Sequence, residues 1–271
     1  MSKFLYFLVF LFPVLAKSQK IVHDWENYVV SLNGKPVSIN VDMGFKSFLP
    51  VKEDSMVIIM RLRLNQTDRS GMPKQEETEL LLNMEDRLVE MLARQSGAKF
   101  VGRFTQRSIR EFYFYASDTS GYRKALNEAM RPFGQYEWLA QAKKDSLWEN
   151  YTNVLYPTPM DLLRIQSNRK IQTLTLPQNG SKIGIDHFIS FSDAAQMKKF
   201  LQLPEASDFQ LVTLPSGPDA SSGKWELVLR RKEYPGRIWI EQVIVPLYQK
   251  LLNFGAIYRG WEPSPPSSRN P

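Results

Sequence analysis

The same succession of strand-like and helix-like segments occurs twice along this chain, and that repetition limits the possible folds more than any other feature. In the first copy, apolar residues alternate with Arg61 and Arg63 in the opening strand and then recur at helical spacing from Leu81 to Leu92. The predicted elements are a strand at 56–64, a helix at 74–95, strands at 99–105 and 111–116, a helix capped by Asp118, and a strand at 136–142.

The second copy follows after residue 180. Its predicted elements are a strand at 183–190, a helix capped by Ser192, strands at 209–214 and 225–231, a helix that ends at 253, and a strand at 256–261. Pro246 falls inside the last helix, where its missing N–H and its ring predict a kink. Both copies therefore have the order strand, helix, strand, strand, helix, strand.

This order is that of the ferredoxin-like or split βαβ arrangement. The predicted fold class is α+β, with two ferredoxin-like (βαββαβ) domains in tandem. A β-hairpin precedes the first, because Asn33-Gly34 between apolar segments supplies the positive φ angles of a tight turn. An extra helix at 158–174 precedes the second, and Thr158, Pro159 and Asp161 have the features of a helix start.

The amino end has the pattern of a cleavable secretory signal. Lys3 precedes an apolar stretch at 4–16, and Ala16-Lys17-Ser18 places small residues at the positions that signal peptidase requires. We therefore predict a signal peptide at 1–18 and an exported protein, periplasmic or secreted. The apolar stretch is short for a transmembrane helix, and no later segment is comparable, so no membrane anchor is expected after cleavage.

The predicted domains of the mature chain are 19–149 and 150–262, followed by a disordered Pro/Ser tail at 263–271. Cleavage removes Lys3 and Lys17 and lowers the net charge from +7 to +5, a mildly basic balance that selects no particular partner. The chain has no cysteine, which excludes disulfides and thiolate metal sites, and it has only two histidines. The sequence thus predicts no catalytic, cofactor or metal site.

Two alternative functions remain open. Asp186 and Glu226 could serve a hydrolase-type enzyme if both acids occupied one deep pocket. The strand around Phe100 mixes aromatic and basic residues, as strands that stack single-stranded nucleic acid do, although packing of the rings in the core is the simpler interpretation. Nucleic acid is therefore not the partner that we expect. His187 follows Asp186 in a strand, so the two side chains point to opposite faces and cannot pair.

Several separated motifs resemble known families. They are Leu155-Tyr156-Pro157-Thr158-Pro159-Met160-Asp161, Arg164-Ile165-Gln166 with Asn168-Arg169, Ile185-Asp186-His187-Phe188-Ile189, and Tyr258-Arg259-Gly260-Trp261. With these motifs, residues 151–261 resemble the regulator of ribonuclease E activity B (RraB) family, in which an acid stands at the place of Arg259. Residues 25–149 resemble the domain of unknown function 695.

The resemblance implies a non-enzymatic module that binds another protein, and an RNA-cleaving enzyme is the partner of the namesake. For this chain we expect a protein partner of unknown identity; a ribonuclease is implied only by the resemblance. The candidate interaction residues are Tyr156, Pro157, His187, Tyr258 and Trp261. The alternative is that these residues simply pack the extra helix against the second sheet.

Overall fold

The computed structural model describes residues 21–177 and 180–265. The predicted signal peptide lies outside the described residues, as do residues 266–271 of the tail predicted at 263–271. The tail prediction began too early, because Pro263 ends the last strand and the Ser264 N–H bonds the Gly184 carbonyl oxygen at 2.8 Å. The chain divides into two compact units that meet between Tyr156 and Pro157, seven residues beyond the predicted domain boundary. The difference arises because the segment before Tyr156 packs on the sheet of the first unit.

The first unit contains one antiparallel sheet and two helices. Its elements are β1 (Trp25–Leu32), β2 (Lys35–Asp42), β3 (Met56–Arg63), α1 (Gln75–Ser96), β4 (Lys99–Gln106), β5 (Ile109–Ala116), α2 (Tyr122–Met130) and β6 (Trp138–Lys144). The strand order is β1-β2-β4-β5-β3-β6. The hairpin strands β1 and β2 thus extend the sheet beyond β4, and they place β1 at its edge.

Tight turns in this unit follow from local sequence. Asn33 and Gly34 have φ angles of 52° and 72°, which confirms the predicted hairpin turn. Helix α1 ends at Gly97, whose φ of 63° lets its N–H bond the carbonyl oxygen of Ala93 at 3.0 Å. The β4–β5 connection is a two-residue turn, shorter than expected, in which Arg107 and Ser108 both have positive φ.

Two predicted helix caps are displaced. Asp118 accepts hydrogen bonds from Ser120 and so closes a turn of its own, while α2 begins only at Tyr122. In the second unit the cap is Asp193 rather than Ser192, because the Asp193 carboxylate accepts from the Ala195 N–H at 2.8 Å. Ser, Thr and Asp are all good caps, so neighbouring candidates are hard to rank from sequence.

The sheet of the first unit is covered on both faces. Helices α1 and α2 pack on one face through the buried side chains of one cluster: Ile58, Met60, Leu62, Leu81, Met84, Leu88, Phe112, Phe114, Leu126 and Met130. On the other face lies a segment that includes a π-helix, Tyr151–Leu155. Trp148 from this segment stacks on Tyr115 at 3.8 Å between ring centroids and donates its indole N–H to the Asp54 carbonyl oxygen at 2.9 Å. Both faces of the sheet are therefore buried.

The second unit also contains one antiparallel sheet. Its elements are α3 (Pro159–Thr173), β7 (Ile183–Phe191), α4 (Ala194–Leu201), β8 (Gln210–Thr213), β9 (Trp225–Glu233), α5 (Arg237–Trp239), α6 (Val245–Leu252) and β10 (Ile257–Pro263). The strand order is β10-β7-β9-β8. The predicted start of α3 is confirmed, since Thr158 and Asp161 form a reciprocal capping box.

The helices of the second unit share one core with the sheet. Its buried members include Leu163 of α3, Met197 of α4, Ile244 and Leu251 near α6, and Ile185, Ile189, Leu227 and Leu229 of the sheet. All of the sheet residues in this core lie on a single face of β7 and β9, because they alternate along each strand. Within the described residues, this unit therefore has a single core and a second sheet face outside it.

The kink expected at Pro246 takes the form of a π-helical segment. Residues Ile240–Ile244 connect α5 to α6, and the Val245 N–H bonds the carbonyl oxygen of Ile240, five residues back. Pro246 follows as the second residue of α6, directly after this π-helical segment.

The fold is α+β with two antiparallel sheets. Within the part of the chain that the structure describes, no helix is both long and apolar enough to cross a bilayer.

Candidate functional site

His187 lies at the centre of the second core. It is on the middle of β7, and its Nδ1 is 2.9 Å from the hydroxyl oxygen of Tyr258 on the neighbouring strand β10. The ring of Phe209 meets the imidazole edge-on at 5.3 Å, and Trp239 lies at 6.3 Å. His187 is fully buried. The side chain of Asp186 points to the opposite face, as predicted, and pairs there with Arg230.

The electrostatics of His187 follow from this burial. Loss of solvent lowers its pKa to about 4, and the positive charge of Arg231 acts in the same direction, while Asp186 opposes them. The imidazole is therefore neutral at neutral pH. Burial also raises the pKa of the Tyr258 hydroxyl. A neutral histidine beside a neutral tyrosine is suited to packing, because both side chains are buried.

Trp261 attaches the extra helix to the second sheet. Its indole N–H donates to the Ser167 hydroxyl of α3 at 3.1 Å, and its ring meets Trp239 edge-on at 4.9 Å. The ammonium of Lys170, also on α3, lies 5.1 Å from the indole centroid and donates to the Trp261 carbonyl oxygen at 2.6 Å. Trp261 is 2 % exposed. These contacts are the packing of α3 against the sheet that the alternative interpretation described.

The remaining two candidates lie at the junction of the units. Tyr156 is the last residue of the first unit, half-buried, with the Lys46 ammonium 4.8 Å from its ring centroid and the Tyr151 ring at 5.8 Å. Pro157 is the first residue of the second unit and is buried. The structure thus brings together only His187, Tyr258 and Trp261 among the five candidates.

These three residues lie in the interior of the second unit and not on its surface. The sequence left open whether they contact a partner or pack the extra helix, and their contacts are those of packing. The physical reason is the strand register: Trp261 lies opposite His187, and both face the helices. A surface formed by this sheet must consist of the alternate residues, which point the other way.

That other side of the second sheet is called the outer face here, and it is formed by three cross-strand pairs. They are Asp186 with Arg230, Phe188 with Val228, and Ser190 with Glu226. Phe188 and Val228, both half-buried, lie in the middle of the face, whereas Asp186 and Ser190 beside them are buried. An apolar centre between charged pairs is the usual composition of a protein-binding patch.

The charged groups of the outer face are held in fixed positions. Arg230 donates to both oxygens of Asp186, at 2.5 and 2.7 Å, and the Ser264 hydroxyl donates to the same carboxylate at 2.6 Å. The hydrogen bond from Arg230 is the main cause that lowers the pKa of Asp186. Ser190 donates to Glu226 at 2.6 Å. Because these side chains are already held in place, less side-chain conformational entropy is lost when a partner binds.

Asp186 and Glu226 do not form the deep acidic pocket that the enzyme alternative required. They share the outer face, yet they lie four residues apart along the paired strands, which corresponds to roughly 13 Å. Each carboxylate also has its own partner, Arg230 or Ser190. Within residues 21–177 and 180–265, no group of three acidic, histidine or cysteine side chains could hold a metal ion.

The aromatic strand of the nucleic-acid alternative is β4, and its rings are packed. Phe100 stacks on Trp25 and adjoins the helix-side core, whereas Phe104 packs on the opposite face. The neighbouring basic residues are paired: Lys99 with Asp54, and Arg103 with Glu85. The core interpretation of these aromatics therefore fits their contacts.

Sequence reasoning missed the outer face itself. A signal was present in β7. There Ile185, His187 and Ile189 alternate with a second set of residues, Asp186, Phe188 and Ser190. Such alternation is typical of a sheet with one buried and one open face.

Comparison with known proteins gives two family matches. Residues 23–156 match the family described as "Family of unknown function (DUF695)", and residues 180–262 match the family "Regulator of ribonuclease activity B". Both families and their order are those that the sequence motifs predicted, so the resemblance is confirmed. The chain therefore carries a DUF695 region followed by an RraB region. Residues 157–179, which include α3 and its capping motif, lie outside both matches.

No curated protein matches this chain. Among solved structures, an unknown protein from Galdieria sulphuraria is 11 % identical, with 78 % of this chain and 99 % of that chain covered and a TM-score of 0.24. A putative glycine cleavage system transcriptional repressor is 9 % identical, with coverage of 77 % and 98 % and a TM-score of 0.23. TM-scores this low carry no argument about fold or function.

Proposed function

We propose that this chain is an exported, non-enzymatic regulatory protein that binds another protein through the outer face of its second sheet. The observation that carries the proposal is the one-sided packing of that sheet: its helices share a core with one face, and Phe188 and Val228 remain half-exposed on the other. The match to a family named as a regulator supports a regulatory role.

The proposal includes a ferredoxin-like topology for each unit. The strands of the second unit can be numbered by their order in the chain. Across the sheet they then lie in the order fourth, first, third, second. The strands β3 to β6 of the first unit have the same arrangement, with the hairpin added beside β4. Two helices connect these strands in each unit at the positions that a split βαβ arrangement requires.

Binding is favoured over catalysis by the state of the titratable groups. His187 is neutral and sealed, and the acids of the outer face are occupied by Arg230 and Ser190. A catalytic acid or base must reach a substrate proton within hydrogen-bond distance. The buried histidine has no such access, and the paired acids would first have to lose their partners.

The identity of the partner depends on the compartment. The family name implies a ribonuclease, whereas the amino-terminal sequence, with Lys3 before the apolar stretch and Ala16-Lys17-Ser18 after it, supports export. We therefore expect a partner in the periplasm or outside the cell. Mass spectrometry of the mature protein tests this part: an amino terminus at Gln19 in the exported fraction is expected, and an intact Met1 in the cytoplasm contradicts it.

Site-specific photocrosslinking tests the binding face. The photoreactive amino acid p-benzoylphenylalanine in place of Phe188 is expected to give one discrete adduct in producing cells. The same amino acid in place of Leu252, which is exposed on α6, serves as the matched control and is expected to give none. A Val228→Lys substitution beside the probe should lower the adduct yield. Equal adducts from both positions would contradict the proposal.

A further inference from the structure

A pocket in the first unit lies between α1 and the edge of the sheet. Its volume is about 360 Å³, and its lining consists of Trp25, Asn40, Glu85, Asp86, Val89, Glu90 and Phe100. Four of these residues belong to α1. They lie on one side of the helix, because Val89 and Glu90 follow Glu85 and Asp86 by four residues, about one helical turn. The pocket thus combines an apolar wall with three carboxylates, and no basic residue lines it.

The apolar wall is an aromatic pair. Trp25 of β1 stacks on Phe100 of β4, with 5.4 Å between ring centroids and 27° between the planes. Trp25 is 42 % exposed, so one face of its indole remains open to a ligand. The face of an indole carries a negative electrostatic potential and attracts cations more strongly than other aromatic side chains do.

The carboxylates provide negative charge that the protein does not neutralise. Glu85 binds Arg103 through Oε1, but its Oε2 is buried and has no hydrogen-bond partner among the described residues. Asp86 and Glu90 are exposed and form no ion pair within the same part of the chain. The cations near these three carboxylates are Arg103 and the buried Arg110, which also interacts electrostatically with Glu85, so the lining keeps an excess of negative charge. A buried acceptor without a donor is costly.

We propose that this pocket binds the cationic end of an arginine or lysine side chain from an extended segment of a partner protein. The guanidinium or ammonium lies over Trp25 and supplies donors to Glu85, Asp86 and Glu90. The aliphatic stem packs on Val89 and Phe100, as long basic side chains commonly do on apolar surface. Charge complementarity selects this occupant over an acidic or apolar one.

The edge strand gives the reason for an extended segment. Trp25 begins β1, which lies at the edge of the sheet, and β1 pairs on one side only among the described strands. Exposed sheet edges commonly add a strand from a partner, with specificity supplied by pockets for alternate side chains. This site is separate from the outer face of the second unit, so either proposal can fail without the other.

Peptide binding to the full chain tests the inference. The probe is a blocked pentapeptide with a central arginine between valine and threonine residues, and its neutral control has citrulline in place of arginine. The readout is the indole N–H signal of Trp25 in a ¹H–¹⁵N spectrum, assigned with a Trp25→Phe variant. The arginine peptide is expected to shift this signal and to bind about tenfold more tightly than the citrulline peptide.

Two charge-matched double variants locate the site. Asp86→Asn with Glu90→Gln should weaken the arginine peptide about tenfold, whereas Glu76→Gln with Glu79→Gln, exposed acids of the same helix outside the pocket, should leave affinity within about twofold. All four residues are exposed, so folding is expected to persist, and circular dichroism verifies it. Equal binding of the citrulline peptide, or equal loss from both double variants, overturns the proposal. Agmatine has the guanidinium and the aliphatic stem but no peptide backbone. If it binds as tightly as the peptide, the inference that the ligand is an extended segment is overturned.

Discussion

The two sheets of this protein have the same order of strands and helices, yet within the described residues only the first carries a separate cluster of buried apolar side chains on each face. In the first unit, chain outside the repeated elements covers the second face, with Trp148 and Tyr151 as its largest side chains. In the second unit, the added helix α3 packs on the face that already carries helices, through Leu163 and Trp261. The repeated elements therefore determine the strand order of each sheet, and the added segments determine which faces are covered.

This difference assigns different roles to equivalent faces. A sheet face covered by Trp148 contributes to stability, while the face without such a cover is the one to which we assign the proposed binding role. The comparison predicts that substitutions on the covered face affect unfolding and that substitutions on the outer face affect association.

The largest effect is expected from Trp148→Ala in the first unit. The indole is fully buried, stacks on Tyr115 and donates to the Asp54 carbonyl oxygen, so its removal leaves a large cavity and an unpaired acceptor. We expect a loss of about 3–5 kcal/mol in the free energy of unfolding of that unit. Urea titration followed by circular dichroism measures it. A loss below about 1 kcal/mol would show that the cover is dispensable and would remove the contrast between the sheets.

The fold could be predicted in part because short-range signals were strong. The turn at Asn33-Gly34 and the capping box of Thr158 with Asp161 require only neighbouring residues, and the structure has both. The cover of the first sheet was not predicted, since it depends on contacts between Trp148 and residues about 30 to 100 positions earlier. A signal did exist: residues 112–116 are a continuous apolar run, which is typical of a strand buried on both faces.

The candidate site was harder to predict than the fold. The motif residues His187, Tyr258 and Trp261 attracted attention as a possible surface, but motif residues also include those that pack a core. Strand alternation could have separated the two roles, because it places His187 and Phe188 on opposite faces. The pocket beside Trp25 joins two strands and a helix, and no local pattern indicates such a juxtaposition.

Acid should destabilise the second unit through His187. Its pKa is about 4 in the folded protein and near 6.5 when unfolded, so the unfolded chain binds more protons between these values. Stability is thus retained above pH 6.5 and falls as the pH drops to 4, by about 3 kcal/mol in total. Urea titrations of the second unit's transition across this range measure the loss. His187→Phe should flatten the profile; an unchanged slope in that variant would assign the effect to other groups.

A smaller effect is expected from Ser167→Ala, which tests the attachment of α3. The substitution leaves the buried indole N–H of Trp261 without its acceptor. We expect a loss of about 1–2 kcal/mol in the second unit. Thermal unfolding checks it, with Thr173→Ala as the control, because Thr173 is exposed on the same helix. If both variants unfold alike, the hydrogen bond contributes nothing and α3 is held by its apolar side chains alone.

The smallest effect on stability is expected from Phe188→Ala on the outer face. The ring is half-exposed, so its truncation removes little buried area, and we expect a loss of about 1 kcal/mol or less. The matched control is Ile59→Ala. Ile59 is 7 % exposed and lies on the face of the first sheet that Trp148 covers, so this substitution should lower the free energy of unfolding by about 2–4 kcal/mol. Urea titration of both variants compares the two faces directly. A Phe188 variant as unstable as the Ile59 variant would mean that the outer face supports the fold, and the reason to regard it as a binding surface would then be lost.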